Sequence, residues 1–365
     1  MIFKIIFLAV LIIHGGIHLL GFLKAFDLLK TDEIKKLISK PLGILWLFVT
    51  VLFFTTAILL IFKNNLWLIS GFISIIFSQI LIFSFGSEAK YGTLANIIIL
   101  IVIVLSYGIY RFEKNYINDV KGLIEKNKID NSDILTVKDI QHIPVIVQKY
   151  LKYCNVIGKP KVKNFRVVFK GQMRSRERGF FDFISEQYNF IDDPARLFFM
   201  KGEMYGFTVP GYHKYINATA SMDIRLFGFF PLIKIEGEVM DKAETVTLFN
   251  DMCLFAPSTL IDNRIQWEVL NDTTVNAKFT NKGISISADL YFDKNGRLTN
   301  FISNDRTDVS DMKQYPFLTP INDYANINDV NVVCNGFAIW RYPDRDFIYG
   351  NFNLKEINYN LIHIK

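Results

Sequence analysis

Two histidines near the N-terminus have the type and spacing that metal or cofactor chemistry uses. His14 and His18 stand four residues apart, which places both imidazoles on one face of a helix. Neutral imidazole binds metals and haem, and it also packs and hydrogen-bonds inside helical bundles. A zinc site needs three or four ligands, and the surrounding apolar runs offer no further His, Cys or Glu. The pair therefore predicts packed, hydrogen-bonded histidines, with a quinone-type small-molecule site and a metal or haem site as alternatives.

A second set of residues, in the C-terminal half, could carry acid–base chemistry. Glu244 and Asp251 lie seven residues apart, so on one helix they would share a face as a carboxylate pair. Asp305 and Arg306 are adjacent and could form a charge pair at the end of a strand. These four are the catalytic candidates, although salt bridges that fix a helix to a sheet would explain them equally well. Because no nucleophile elbow, metalloprotease motif, phosphate-binding loop or dinucleotide fingerprint occurs, we expect a non-enzymatic protein without a cofactor.

Other polar residues are better suited to binding than to catalysis. The predicted ligand-binding residues are Arg174, Gln187, Arg306 and Trp340. An arginine among them could contact the polar head of an otherwise apolar ligand. His213, which follows a Pro-Gly turn, is expected to be a strand or surface histidine.

The elements that must position these residues fall into two unlike parts. Residues 1–110 contain eight lysines, no arginine and four acidic residues, whereas the other 255 residues hold 33 basic and 31 acidic side chains. Four apolar runs, each near the length that crosses a hydrocarbon core, occupy the first part: 5–23, 43–62, 66–85 and 94–110. Only helices or closed barrels satisfy the backbone in lipid. We therefore expect a four-helix transmembrane domain over 1–110, its first helix retained rather than cleaved.

The orientation of these helices in the membrane is not decided by charge. Six lysines fall on one predicted side, five of them in the first loop, and five basic residues fall on the other. The first-loop set is Lys24, Lys30, Lys35, Lys36 and Lys40. The positive-inside rule needs a larger bias than this. The sequence predicts a multi-pass protein of a bacterial inner or cytoplasmic membrane, and the bilayer as a partner, with the side of the C-terminal domain open.

Composition excludes other classes of function. The net charge of +6 is spread along the chain without a basic cluster, so no nucleic-acid partner is expected. Three widely separated cysteines give no disulfide framework or metal knuckle and are expected to be buried thiols. They are Cys154, Cys253 and Cys334.

Beyond a polar linker at 111–140, the pattern over 141–365 is that of an antiparallel β domain. From Lys161 onward apolar residues alternate with polar ones in about a dozen short segments divided by turns. Lys242 to Cys253 interrupts this pattern with a helix whose apolar face carries Val246 and Phe249. A helix inside an all-β segment is expected to cover the sheet and to enclose a hydrophobic cavity. The 34 Phe residues fit either such a pocket or simple core packing.

Several short motifs resemble those of an uncharacterised bacterial domain-of-unknown-function family. The resemblance covers residues 140–365 and rests on a set of local patterns: Val147-x-x-Tyr150-Leu151, Gly171-x-Met173-Arg174, Glu186-Gln187, Glu244-Thr245, Phe249 to Cys253, Ala256-Pro257, Leu260 to Asp262, Trp267, Phe292 to Gly296, Ser303-x-Asp305-Arg306, Trp340 and Ile357-x-Tyr359-Asn360. The first apolar run, with His14-Gly15-x-Ile17-His18, is similar to membrane segments that precede this domain in some members. The resemblance implies a family without an assigned role, and the half-barrels of lipocalins and lipoprotein carriers are an analogy of fold alone.

The sequence therefore predicts a four-helix membrane bundle followed by an antiparallel half-barrel with one covering helix. We expect the β domain to bind a lipid or other apolar ligand. A membrane-associated enzyme that uses the carboxylate and arginine residues is the first alternative. An assembly or interaction protein without a small ligand is the second, and the oligomeric state is left open.

Overall fold

The computed structural model describes residues 2–29, 36–127, 129–204 and 206–365, without the side chains of Ile2 and Ser87. Two lysines counted for the orientation, Lys30 and Lys35, lie outside these residues. The chain divides into two compact units, which we call the helical unit and the β unit. The helical unit consists of Met1–Phe112 with Phe227–Phe229, and the β unit of Glu113–Leu226 with Phe230–Lys365.

Long helices dominate the beginning of the chain. Within the described residues the α-helices are α1 (Ile2–Ala25), α2 (Lys40–Ile61), α3 (Leu66–Phe85), α4 (Gly92–Lys126), α5 (Val145–Tyr153) and α6 (Glu238–Phe255). Four of them, α1 to α4, are long and apolar enough to cross a membrane. Their lengths follow from the four apolar runs, because α-helix is the one regular structure that satisfies its own backbone hydrogen bonds within a single segment.

Close helix contact in the helical unit depends on glycine at one crossing. A Cβ placed on Gly21 of α1 would lie 2.1 Å from Cδ2 of Trp46 on α2, so any side chain there would overlap the indole. Trp46 itself is buried. The small residue lets the two backbones approach, as glycines do at helix interfaces in membranes.

The β unit is built on one large antiparallel sheet. The strands of the described chain are β1 (Asn164–Met173), β2 (Phe181–Phe190), β3 (Ala195–Met204), β4 (Phe207–Ile216), β5 (Thr219–Leu226), β6 (Phe230–Glu236), β7 (Ile265–Asn271), β8 (Thr274–Asn281), β9 (Ile284–Phe292), β10 (Leu298–Ser303), β11 (Thr307–Asp308), β12 (Lys313–Gln314), β13 (Phe317–Leu318), β14 (Ile321–Ile327), β15 (Val330–Arg341) and β16 (Asp346–Tyr359). Over these residues fourteen strands form a sheet in the order β6-β5-β4-β3-β2-β1-β16-β15-β13-β10-β9-β8-β7, with β14 beside β15. The strands β11 and β12 form a separate pair, of which β11 lines the cavity described below.

Pairing of β1 with β16 joins the two halves of this sheet. Phe165 opposes Tyr359, and Met173 opposes Gly350, so the last long strand closes onto the first. The sheet does not close into a barrel, because among the described strands β6 and β7 are its two ends, each with a neighbour on one side only. The predicted fold class, a set of apolar helices with an antiparallel half-barrel and one covering helix, is confirmed.

The covering helix α6 is buried on nearly all sides. Its apolar side meets the sheet, where the Phe249 ring stacks on Phe279 with the centroids 5.3 Å apart. The sequence indicated a helix with one apolar face, yet Glu244, Asn250 and Asp251 on the other side are buried as well. These polar groups hydrogen-bond to side chains of β2, β3 and Thr319, as buried polar atoms generally find partners.

The second half of α4 belongs to the β unit and packs on the face of the sheet opposite α6. Tyr116 is buried and stacks on Phe199 of β3, with the ring centroids 5.3 Å apart. Glu113 pairs with Lys201 at 2.7 Å. Residues 113–126 are therefore helical where the sequence predicted the start of a linker, because their aromatic and acidic side chains find partners on strands distant in the sequence.

Candidate functional site

A cavity of about 710 Å³ lies between α6 and the inner face of the sheet. This is within the size range of small-molecule sites. Its wall is largely aliphatic and aromatic, and five of the eight methionines of the chain line it. They are Met173, Met200, Met204, Met222 and Met240. Methionine is unbranched and polarisable, so such a wall adapts to the shape of an apolar guest.

The cavity reaches the surface at two segments. Residues 175–178, in the turn after β1, line it and are exposed. Leu232 and Ile233 of β6 also line it, and their exposures of 53% and 38% are high for large aliphatic residues. The exposed part of the cavity wall is therefore polar at one segment and apolar at the other.

Two arginines and several aromatic rings form one end of the cavity wall, which we call the arginine–aromatic cluster. Its members are Arg174, Arg306, Phe317, Trp340, Phe347 and Tyr349. Arg306 donates to the Tyr349 hydroxyl at 2.8 Å, and its Cζ lies 4.0 Å from the centroid of the Phe317 ring. Arg174 donates through Nε to the Ile348 carbonyl at 2.7 Å. Rings hold both guanidinium groups in place by cation–π contact.

A buried ionic network forms another part of the wall. Arg196 of β3 donates to Asp251 at 2.6 Å and to Glu244 at 3.0 Å, so one guanidinium pairs with both carboxylates of α6. Gln187 donates to Asp251 at 3.0 Å and accepts from Arg196 at 3.2 Å. Asn189 gives Asp251 a further hydrogen bond at 3.1 Å. This satisfies the groups that α6 buries and fixes the helix over β2 and β3.

His213 completes the network from β4. Its Nδ1 lies 3.1 Å from Oε1 of Glu244. Burial alone would raise the pKa of Glu244, but the charge of Arg196 and the hydrogen bond from His213 outweigh it and lower the pKa to about 2. Glu244 is therefore an anion at neutral pH, which suits an ion pair and not proton donation.

The structure brings most of the predicted site residues to this one cavity. All four predicted ligand-binding residues line it, and so do three catalytic candidates, Glu244, Asp251 and Arg306. Asp305 is not among the lining residues. Asp305 pairs instead with Lys242 at 2.7 Å and accepts from the Ser287 amide at 2.7 Å, whereas Arg306 donates to Tyr349.

Sequence analysis missed Arg196 and Tyr349, the two residues that organise the polar ends of the cavity. Arg196 stands directly before the apolar run Leu197 to Met200. A charged side chain beside such a run is rarely buried unless it is paired, and that was the available indication. Nothing in the local sequence distinguishes Tyr349 from other strand tyrosines.

The histidine pair lies in the interior of the helical unit. His14 Nε2 is 3.0 Å from Oδ1 of Asn96 on α4 and 3.3 Å from Ser78 Oγ on α3. His18 donates from Nδ1 to the His14 carbonyl at 2.9 Å, while its Nε2 has no partner within the described chain. Among the residues that the structure describes, no group of three or more His, Cys, Asp or Glu could hold a metal ion.

Comparison with known proteins gives a family and a solved structure. A family model described as "Family of unknown function (DUF6544)" matches residues 133–352, a range that contains every residue lining the cavity. The curated proteins give no match. Among solved structures, the chain is similar to the crystal structure of a LolA superfamily protein from Nitrosomonas europaea, with 8% identity and a TM-score of 0.35 over 59% of this chain and 92% of that one.

Proposed function

Because the chain belongs to DUF6544, a family of unknown function, we propose its role from its own geometry: a membrane-anchored protein whose β unit binds a lipid or another apolar ligand. The observation that carries the proposal is the cavity of about 710 Å³ under α6. A cavity of this size with an aliphatic wall would be costly to leave without an apolar guest. We place the ligand against the methionines, with its polar end toward the arginine–aromatic cluster.

Burial of apolar surface would supply the affinity. Each Å² of aliphatic surface removed from water contributes about 25 cal/mol, so an acyl chain gains roughly 0.8 kcal/mol per methylene. The adaptable thioether side chains can close around the chain without strain. The surrounding network of Arg196, Glu244 and Asp251 keeps α6 in position over the sheet.

The helical unit supports the membrane part of the proposal. Large apolar side chains face outward along its helices, among them Ile13 at 64% and Phe83 at 76% exposure. Apolar patches of this extent are not stable in water and mark a surface that lipid or a partner covers. We propose a multi-pass protein of a bacterial inner or cytoplasmic membrane, with the bilayer as its surroundings.

The test is to fill the cavity and count the lipids that remain bound. Thr247 of α6 lines the cavity, whereas Thr299 of β10 is exposed outside it. The full chain would be purified in a neutral detergent as the parent, Thr247→Phe and Thr299→Phe, and its copurifying lipids would be quantified by mass spectrometry. We expect the parent and Thr299→Phe to carry lipid and Thr247→Phe to lose most of it at an unchanged melting temperature. Equal amounts in all three proteins would contradict the proposal.

A further inference from the structure

We infer that the ligand is a single-chain amphiphile with one negative charge, held at its head by Arg174 and Arg306. The inference rests on the proposed function and specifies its ligand. Its basis is the charge of the cavity wall, the hydrogen bonds that the two arginines leave available, and the volume of the cavity.

Neither arginine of the cluster has a carboxylate within ion-pair distance among the described residues. Arg306 contacts the Tyr349 hydroxyl and two rings, and Arg174 contacts a backbone carbonyl and two rings. A guanidinium has five N–H donors, so each keeps several for a ligand. Arg176 differs, because it pairs with Asp311 at 3.3 Å and with Asp308.

The charges facing the cavity leave an excess of one positive charge. Five guanidinium groups line the cavity together with four carboxylates: Arg174, Arg176, Arg178, Arg196 and Arg306 against Glu177, Glu244, Asp251 and Asp308. Arg196 lies between the two carboxylates, and the charge of Arg306 acts on Glu244 as well. The remaining positive charge matches a single anion. A carboxylate or a phosphodiester meets this requirement, and both accept charge-assisted hydrogen bonds from arginine.

The volume is sufficient for one acyl chain. A 16-carbon fatty acid has about 18 non-hydrogen atoms, which at about 30 Å³ for each water-sized group occupy roughly 540 Å³. The cavity of about 710 Å³ accommodates such a chain. The rings of Phe317, Trp340 and Phe347 would surround the first carbons after the head.

Native mass spectrometry of the full chain in a neutral detergent tests this inference. The probes are palmitate, palmitoyl-lysophosphatidylglycerol and the neutral monopalmitoylglycerol, all with the same acyl chain. We expect an anionic probe to bind at least about 10-fold more tightly than the neutral one, as loss of hydrogen bonds to a charged group would cost. Palmitate and the lysophospholipid distinguish a carboxylate from a phosphodiester head.

The matched variants are Arg306→Gln and Arg341→Gln. Arg341 follows Trp340 on β15 but pairs with Asp346 at 2.8 Å and does not line the cavity. We expect Arg306→Gln to remove most of the preference for anionic probes and Arg341→Gln to keep it. Equal binding of the neutral and charged probes would overturn the inference and leave the proposed function standing. Absence of binding by every probe would overturn both. If Arg306→Gln does not fold, the comparison of anionic and neutral probes on the parent chain still tests the inference.

Discussion

Arg196 connects the two carboxylates of α6 to the sheet, and its role shows what the charged residues of the cavity wall do. As a whole residue it is 6% exposed, and both of its anionic partners are at 5% or less. Ions removed from water to this degree depend on their partners, because their lost hydration is replaced only by the pair itself. The Glu244 and Asp251 pair thus has a structural explanation in this arrangement.

Removal of the Arg196 guanidinium should destabilise the β unit strongly. Arg196→Ala leaves Glu244 and Asp251 buried without their shared cation, and we expect the free energy of unfolding to fall by about 3–5 kcal/mol. The measurement is urea unfolding of the full chain in neutral detergent, followed by near-UV circular dichroism. Arg341→Ala removes an exposed ion pair and should change the stability by less than about 1 kcal/mol. Similar effects of the two changes would contradict the structural role of the network.

At the residue scale, the sequence singled out residues that line one cavity, but it did not indicate how they pair. Asp305 and Arg306 are neighbours in the connection between β10 and β11, yet they have different partners. Asp305 pairs with Lys242, and Arg306 donates to Tyr349. These contacts, like the contact between β3 and α6 that pairs Arg196, join residues far apart in the sequence, which local patterns do not indicate.

At the scale of elements, α4 extends beyond the apolar run that predicts it. The run ends near residue 110, yet the helix continues to Lys126. Its second half has a polar exposed side and a buried side with Tyr116 and Val120, which is the pattern of a helix that packs on a sheet. The partners of that face are on β2 to β4, so hydropathy alone could indicate only the apolar part.

Truncation of Tyr116 tests how much the packing of α4 on the sheet contributes to the stability of the β unit. Its ring is 2% exposed and stacks on Phe199, so Tyr116→Ala leaves a cavity the size of an aromatic side chain. We expect a loss of about 3–5 kcal/mol in the free energy of unfolding, the usual range for aromatic truncation in a core. Lys121→Ala on the same helix is the control, since that side chain is 66% exposed. A loss of less than about 1 kcal/mol for Tyr116→Ala would show that the residue is not part of a core.

The helix α6 illustrates what local patterns can and cannot predict. Its existence and its approximate bounds followed from the interruption of the β periodicity, and its covering position from its apolar residues. The burial of its polar side could not be predicted from the local pattern. Glu244 and Asp251 acquire partners only when β2 and β3 pair and present Gln187 and Arg196. The cavity is likewise a property of many strands together, and periodicity gives the face of each strand without its neighbours.

For the whole molecule, the proposed membrane anchor makes a prediction about sidedness. Four spans place the α1–α2 and α2–α3 connections on opposite sides of the bilayer. Ser39 lies in the first connection and Asn64 in the second, and both are exposed. In intact bacterial cells we expect a membrane-impermeant thiol reagent to label one of Ser39→Cys and Asn64→Cys and not the other, with both labelled after lysis. Labelling of both in intact cells, or release of the chain by alkaline carbonate, would contradict four spans.

The five methionines that line the cavity affect which ligands it could distinguish. Thioether side chains with three rotatable bonds yield to saturated and kinked hydrocarbon alike, so selection along the tail is weak. Discrimination then falls to the rigid arginine–aromatic cluster, where ring and guanidinium positions are fixed. If the β unit binds a lipid as proposed, it recognises the head group and accepts tails of different unsaturation, so a change in the cell's fatty-acid composition would leave its occupancy unaffected.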